Sequence, residues 1–125
     1  MEKRFSKEPP KILIVDKCKE EAIRLSRLFE SSFERPELLI TGLGKKGIEL
    51  TKTENPDVII LDPKLPDMSV LEFLKSIRSF SKCPVIIITT MAKVSYTKAI
   101  QAQIDDCDAK SSFRPRLLEK LRAFS

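Results

Sequence analysis

A chain of 125 residues, 42% hydrophobic and 33% charged, has the size and apolar content of one globular domain, which excludes intrinsic disorder. The net charge is +5, but Lys and Arg are interspersed with Asp and Glu, so direct nucleic-acid binding is not the expected role. Histidine and tryptophan are absent and Tyr96 is the single tyrosine, which excludes His-based triads, most zinc sites, a phosphohistidine donor and a base-stacking platform.

Residues 1–10 are polar and end in Pro9 and Pro10, so they read as a mobile arm ahead of a domain over 11–125. An unbroken apolar run at 12–15 has the character of a strand buried on both faces. Residues 18–34 carry Ala22, Leu25, Leu28, Phe29 and Phe33 at helical spacing, with Glu20 and Glu21 in the first turn and Arg35-Pro36 as the stop. A second strand is expected at 38–41, a turn at 42–47, and a short helix at 47–53 that Asn55-Pro56 breaks. The third strand, 58–61, runs into Asp62, and Pro63 and Pro66 bound the loop after it. A helix at 68–80 uses Leu71, Phe73, Leu74 and Ile77, and 84–89 is the clearest strand. A helix at 96–103, a short polar fifth strand at 106–109 and a last helix from Pro115, with Leu117, Leu118, Leu121 and Phe124 inward, complete the pattern. Strand and helix alternating in this way predict an α/β fold, a parallel sheet with helices on both faces.

No apolar run approaches the roughly 20 residues of a membrane span, and the first is too short for a signal-peptide core. A soluble cytoplasmic protein without a membrane partner is expected. Cys18, Cys83 and Cys107 have no metal-ligand spacing and read as free thiols.

In an open parallel sheet the ligand site lies outside the carboxyl ends of the strands. The first strand delivers Asp16 and then Lys17, the third Asp62, the fourth Thr89-Thr90 and the fifth Lys110-Ser111. Each residue alone is an ordinary polar exit from a core. Together they can make a phosphoryl-transfer site: the Asp62 carboxylate attacks phosphorus, and the Thr89 hydroxyl and Lys110 ammonium bind the resulting oxygens.

With those residues in place, the chain from about 11 to 124 resembles a bacterial two-component response-regulator receiver domain, CheY-like. The segment 56–66, PDVIILDPKLP, is similar to the family's strand, phospho-acceptor and proline loop, and 84–89, PVIIIT, to its fourth strand with the switch threonine. Asp105-Asp106 followed by Lys110 resembles its fifth-strand region with the buried lysine. The resemblance implies a flavodoxin-like three-layer α/β/α fold with five parallel strands in the order 2-1-3-4-5. It implies Asp62 as acceptor, Asp16 as an acidic-pocket residue, and Thr89 and Lys110 as phosphoryl-binding groups. It further implies a histidine kinase or phosphotransfer protein as donor, and a downstream protein or fused output domain as target. A second copy of the chain is a candidate partner. No enzyme activity is implied beyond the domain's own aspartyl phosphorylation and dephosphorylation.

Several positions depart from the family pattern. The second acid after the first strand, normally the direct Mg2+ ligand, is Lys17. Val70 and Gln103 stand in place of glycines, Cys107 in place of the switch aromatic and Ser111 in place of a proline. The metal ligands left are Asp16 and Asp62, and Mg2+ binding is expected to be weakened or lost. The rim's formal charge moves from about −2 to about 0, and a unit charge at about 4 Å is worth about 4 kcal/mol at an effective dielectric of about 20.

Two readings follow: Asp62 is still phosphorylated, with Lys17 as a resident cation, or Lys17 pairs with Asp62 and locks a pseudo-receiver that serves as a protein-binding module. Lys64, two residues past Asp62, faces the same rim in the family and is either a solvated loop lysine or a group that steers attacking water. A rival of another class is a nucleotide site, because Gly42-Leu-Gly-Lys-Lys-Gly47 matches G-x-G-x-x-G. The motif follows the second strand rather than the first, which is the wrong context for dinucleotide binding.

Overall fold

The computed structural model describes residues 10–89 and 106–109 of the chain. Five strands form one sheet: β1 (Lys11–Val15), β2 (Glu37–Thr41), β3 (Val58–Leu61), β4 (Val85–Thr89) and β5 (Asp106–Ala109). All neighbouring pairs are parallel and the order is β2-β1-β3-β4-β5, as the resemblance implies. The central strands β1, β3 and β4 are short apolar runs because both of their faces are covered.

Successive side chains alternate between two cores. Ile12, Ile14, Val58, Ile60, Ile86 and Ile88 pack against Ala22, Leu25, Leu28 and Phe29 of α1 (Lys19–Ser32). Leu13, Val15, Ile59, Leu61, Val85 and Ile87 pack against Val70, Phe73, Leu74 and Ile77 of α3 (Val70–Arg78). Helix α2 (Gly44–Glu54) joins that second face through Ile48 and Leu50. Each fully buried aliphatic or aromatic side chain contributes about 1.5–3 kcal/mol, so the two cores fix the layers. Val70, in the place of a glycine, is buried in the second core and strengthens it.

Several boundaries differ from the sequence expectation by one to three residues. Helix α1 stops at Ser32, before Arg35-Pro36, with Phe33 extended at the C-cap. Helix α3 starts at Val70 rather than 68, because Ser69 caps it and Glu72 bonds back in a reciprocal capping box. Helix α2 starts at Gly44 rather than Gly47, for a reason that belongs to the site below. Pro10 is buried and its carbonyl accepts the Glu37 N–H at 2.8 Å, which continues the β1–β2 pairing by one bond. The rest of the arm, the helices expected at 96–103 and from Pro115, Tyr96 and Lys110 lie outside the described residues. Among the described residues no helix is long and apolar enough to cross a membrane.

Candidate functional site

The register of the sheet sets two carboxylates side by side. Val15 is paired with Leu61, so the residues that follow, Asp16 and Asp62, leave neighbouring strands at one level. Each continues the ladder by one bond: Asp16 N–H donates to Thr41 O at 2.9 Å and Asp62 N–H to Val15 O at 2.8 Å. Both are buried, at 4% and 8% exposure, which is unusual for aspartate and marks this end of the sheet.

Each carboxylate is also gripped by its own loop. Asp16 Oδ1 accepts the Cys18 N–H at 2.9 Å, and Asp62 Oδ1 accepts the Lys64 N–H at 2.7 Å. These short loops turn the carboxylates back over the strand ends. Pro63 and Pro66 stiffen the loop after Asp62 by fixing φ. Cys18, at the N-cap of α1, is a free, half-buried thiol.

Lys17 and Lys64 are exposed. Among the described residues, ion pairs join Lys11 to Glu37 and Glu54, Arg24 to Glu21, and Lys46 to Glu49. Thr89 ends β4, and Leu61 pairs with Ile87, so its backbone stands one residue beyond the level of Asp62. Ala109 pairs with Thr89, and Lys110 follows it outside the described residues.

Mg2+ is usually held by one or two carboxylates, with water and phosphate oxygens filling its other positions. Asp16 and Asp62 are acids at the right place, but the third position is Lys17. Among the described residues no three His, Cys, Asp or Glu side chains converge to hold a metal ion. With Lys17 in place of the third acid, this rim offers Mg2+ the two carboxylates of Asp16 and Asp62.

Asp67, a residue that sequence reasoning missed, explains the start of α2. Its Oδ1 accepts the Gly44 N–H at 2.8 Å and its Oδ2 the Lys45 N–H at 2.9 Å. Those two bonds, Lys45 first and then Gly44, hold the Asp67 carboxyl below the ordinary carboxylate range; desolvation opposes them and the Lys45 charge adds to them. Helix α2 needs this outside anion. Its N-cap is Leu43, which offers no side-chain cap, and its first turn carries Lys45 and Lys46 but no acid.

The same contact removes the basis for a nucleotide site. In that motif the helix N-terminus must face a pyrophosphate, yet here a carboxylate of the chain itself occupies it. The glycines serve packing instead. A Cβ on Gly44 would stand 2.7 Å from Met68 Cγ, and one on Gly47 3.0 Å from Val15 Cγ2. Thr51 and Thr53, poor helix formers, bond their hydroxyls back to Gly47 O and Glu49 O.

Residues 12–122 match the family model of the response regulator receiver domain. Over 85 residues, 66% of the chain, the sequence is 35% identical to the cell cycle response regulator CtrA of Brucella ovis, and CtrA of Brucella anthropi matches equally. The chain spans 37% of the length of those relatives. The Francisella response regulator 1452 receiver domain superposes with a TM-score of 0.78 at 25% identity, covering 92% of this chain and 95% of that one. The CheY-like receiver domain from Methylobacillus flagellatus gives a TM-score of 0.82 over 93% of this chain and 98% of that one; at 19% identity it speaks for the fold alone.

Proposed function

The chain belongs to the response regulator receiver domains of two-component signalling, and on that premise we propose that Asp62 accepts a phosphoryl group from a histidine kinase or phosphotransfer protein. The observation that carries this reading is the condition of Asp62: buried at the tip of β3 beside Asp16, with its carboxylate oriented by the Lys64 N–H.

In the proposed reaction an Asp62 carboxylate oxygen attacks phosphorus as the bond from phosphorus to the donor nitrogen breaks. The electron pair leaves with the imidazole, which takes up a proton. The Thr89 hydroxyl and the Lys110 ammonium bind the transferred oxygens. Lys17 adds one positive charge at the rim, where the family carries a metal ligand, and Asp16 balances it. One ammonium neutralises the oxygens in flight less completely than a divalent ion, so the transfer is slow and depends little on Mg2+. The domain acts on no substrate beyond its own aspartate.

Phosphorylation then shifts a population between two states and changes which partner is preferred by the surface of β5 and the helices expected at 96–103 and from Pro115. The greater length of the CtrA relatives supports an output domain or downstream protein as that partner. Incubation with a small phosphodonor, with and without Mg2+, followed by intact mass, tests the acceptor reading. The expected result is a slow gain of one phosphoryl group in both conditions. No adduct in either condition, nor with the cognate kinase, overturns it and leaves the interaction-module reading.

A further inference from the structure

The loop from Asp62 to Ser69 is fastened at two points that lie on different elements. At its start the Lys64 N–H holds Asp62 Oδ1 at 2.7 Å. Near its end both oxygens of Asp67 hold the first two N–H groups of α2, at 2.8 and 2.9 Å. Between these points Pro63 and Pro66 remove backbone freedom. The loop also lies down on α2. Met68 and Leu65 pack so close to Gly44 that a Cβ there would stand 2.8 Å from Met68 Sδ and 3.1 Å from Leu65 Cδ1, and Met68 would have to rotate away. A short, stiff loop fixed at one end constrains the other.

We propose that Asp67 is a positioning residue for Asp62: it fastens the acceptor loop to the start of α2, and that fastening sets the geometry in which the Lys64 N–H orients the Asp62 carboxylate. The bonds are charge-assisted and directed at the positive end of a helix, so they resist thermal opening more than neutral loop contacts do. A consequence is that α2 and the acceptor move as a coupled pair. The inference rests on the reading of Asp62 as acceptor for its meaning, but its structural content can be measured without any phosphorylation.

The experiment is amide hydrogen exchange by NMR on the whole chain, comparing wild type with Asp67→Ala and Asp67→Asn, and with Ser69→Ala as a control. Ser69→Ala removes the cap of α3 from the same loop without touching α2. Protection at Gly44, Lys45 and Lys64 is expected to fall together by about fivefold in Asp67→Ala, and by less in Asp67→Asn, which keeps one acceptor oxygen. Ser69→Ala is expected to expose Glu72 and leave Lys64 unchanged. Loss of protection at Gly44 and Lys45 with Lys64 unaltered overturns the proposal and reduces Asp67 to a helix cap. Phosphodonor kinetics on the same proteins complete the test: the rate of adduct formation falls in Asp67→Ala while the half-saturating donor concentration holds. If wild type takes no phosphoryl group, the acceptor reading fails, and the exchange data still decide the positioning claim.

Discussion

At the amino end of the sheet, polar and charged groups tie neighbouring elements together. The Lys11 N–H donates to Asp57 Oδ2 at 2.7 Å, and Lys11 Nζ reaches Glu54 O at 3.1 Å and Glu54 Oε1 at 3.3 Å. Arg78 donates to Cys83 O at 2.8 Å, and Cys83 Sγ to Pro56 O at 3.2 Å. At the carboxyl end, Asp16 and Asp62 are more deeply buried, yet each takes an amide just two residues on, and the two lysines beside them are exposed. The same residue types thus clamp strands together at one end and sit gathered at the other. A carboxylate that crosslinks distant elements is part of the fold's stability. One that is buried and held by its own turn is set up for chemistry, and natural sites of this kind trade stability for function.

Substitution at the two ends should separate these roles. The largest effect expected is on chemistry: Asp62→Asn abolishes the phosphoryl adduct in intact mass while the melting temperature holds or rises, since the amide oxygen still accepts the Lys64 N–H and a buried charge is gone. A drop of more than about 3 kcal/mol in that variant would place Asp62 among the structural clamps. Next in size is the charge of the rim. Lys17→Asp restores a third acid, and Mg2+ affinity read by calorimetry should rise on the order of 30-fold, half the pairwise value in a medium of effective dielectric about 20. Unchanged affinity would show that something other than Lys17 keeps the metal out.

The amino end should answer in the opposite sense. Asp57→Ala leaves the Lys11 N–H without its acceptor, a part-buried charge-assisted bond, and should cost about 1–3 kcal/mol in urea unfolding. Adduct formation at Asp62 should be unaffected where the variant is folded. Loss of the adduct in that variant would mean that the two ends are not independent.

The contrast also explains what could be read from the chain. Strands β3 and β5 fall on the residues expected, because a short apolar run bounded by turn chemistry carries its own signal, and the weak β5 was readable from its place in the alternation. The placement of Asp16 and Asp62 at neighbouring strand ends was legible because they immediately follow such runs. The start of α2 was not legible, because the group that caps it lies 23 residues downstream. The one local hint was negative: a helix start with Leu43 at the cap and two lysines in the first turn lacks any anion of its own. The start of α3 was written in Ser69 and Glu72, a local capping box that the apolar period alone passes over. Thr89 and Lys110 rest on the family resemblance rather than on side-chain geometry.

The smallest effect expected is at Asp67, and it carries a sign. Its carboxyl titrates below the ordinary carboxylate value because the folded state stabilises the charged form through the Lys45 and Gly44 amides. A depressed folded value means that the stabilisation is fully present above the unfolded value, about 3.9, and is lost as pH falls through the folded one. Wild type should therefore be more stable than Asp67→Asn at neutral pH, with the gap in urea midpoint constant down to about pH 5 and closing below pH 4. Because the carboxyl is exposed, the gap should also shrink in high salt. A gap that widens in acid would reverse the assignment: protonated Asp67 would then be the form that α2 prefers, and the fastening of the acceptor loop would depend on the packing of Met68 and Leu65 against Gly44 rather than on charge.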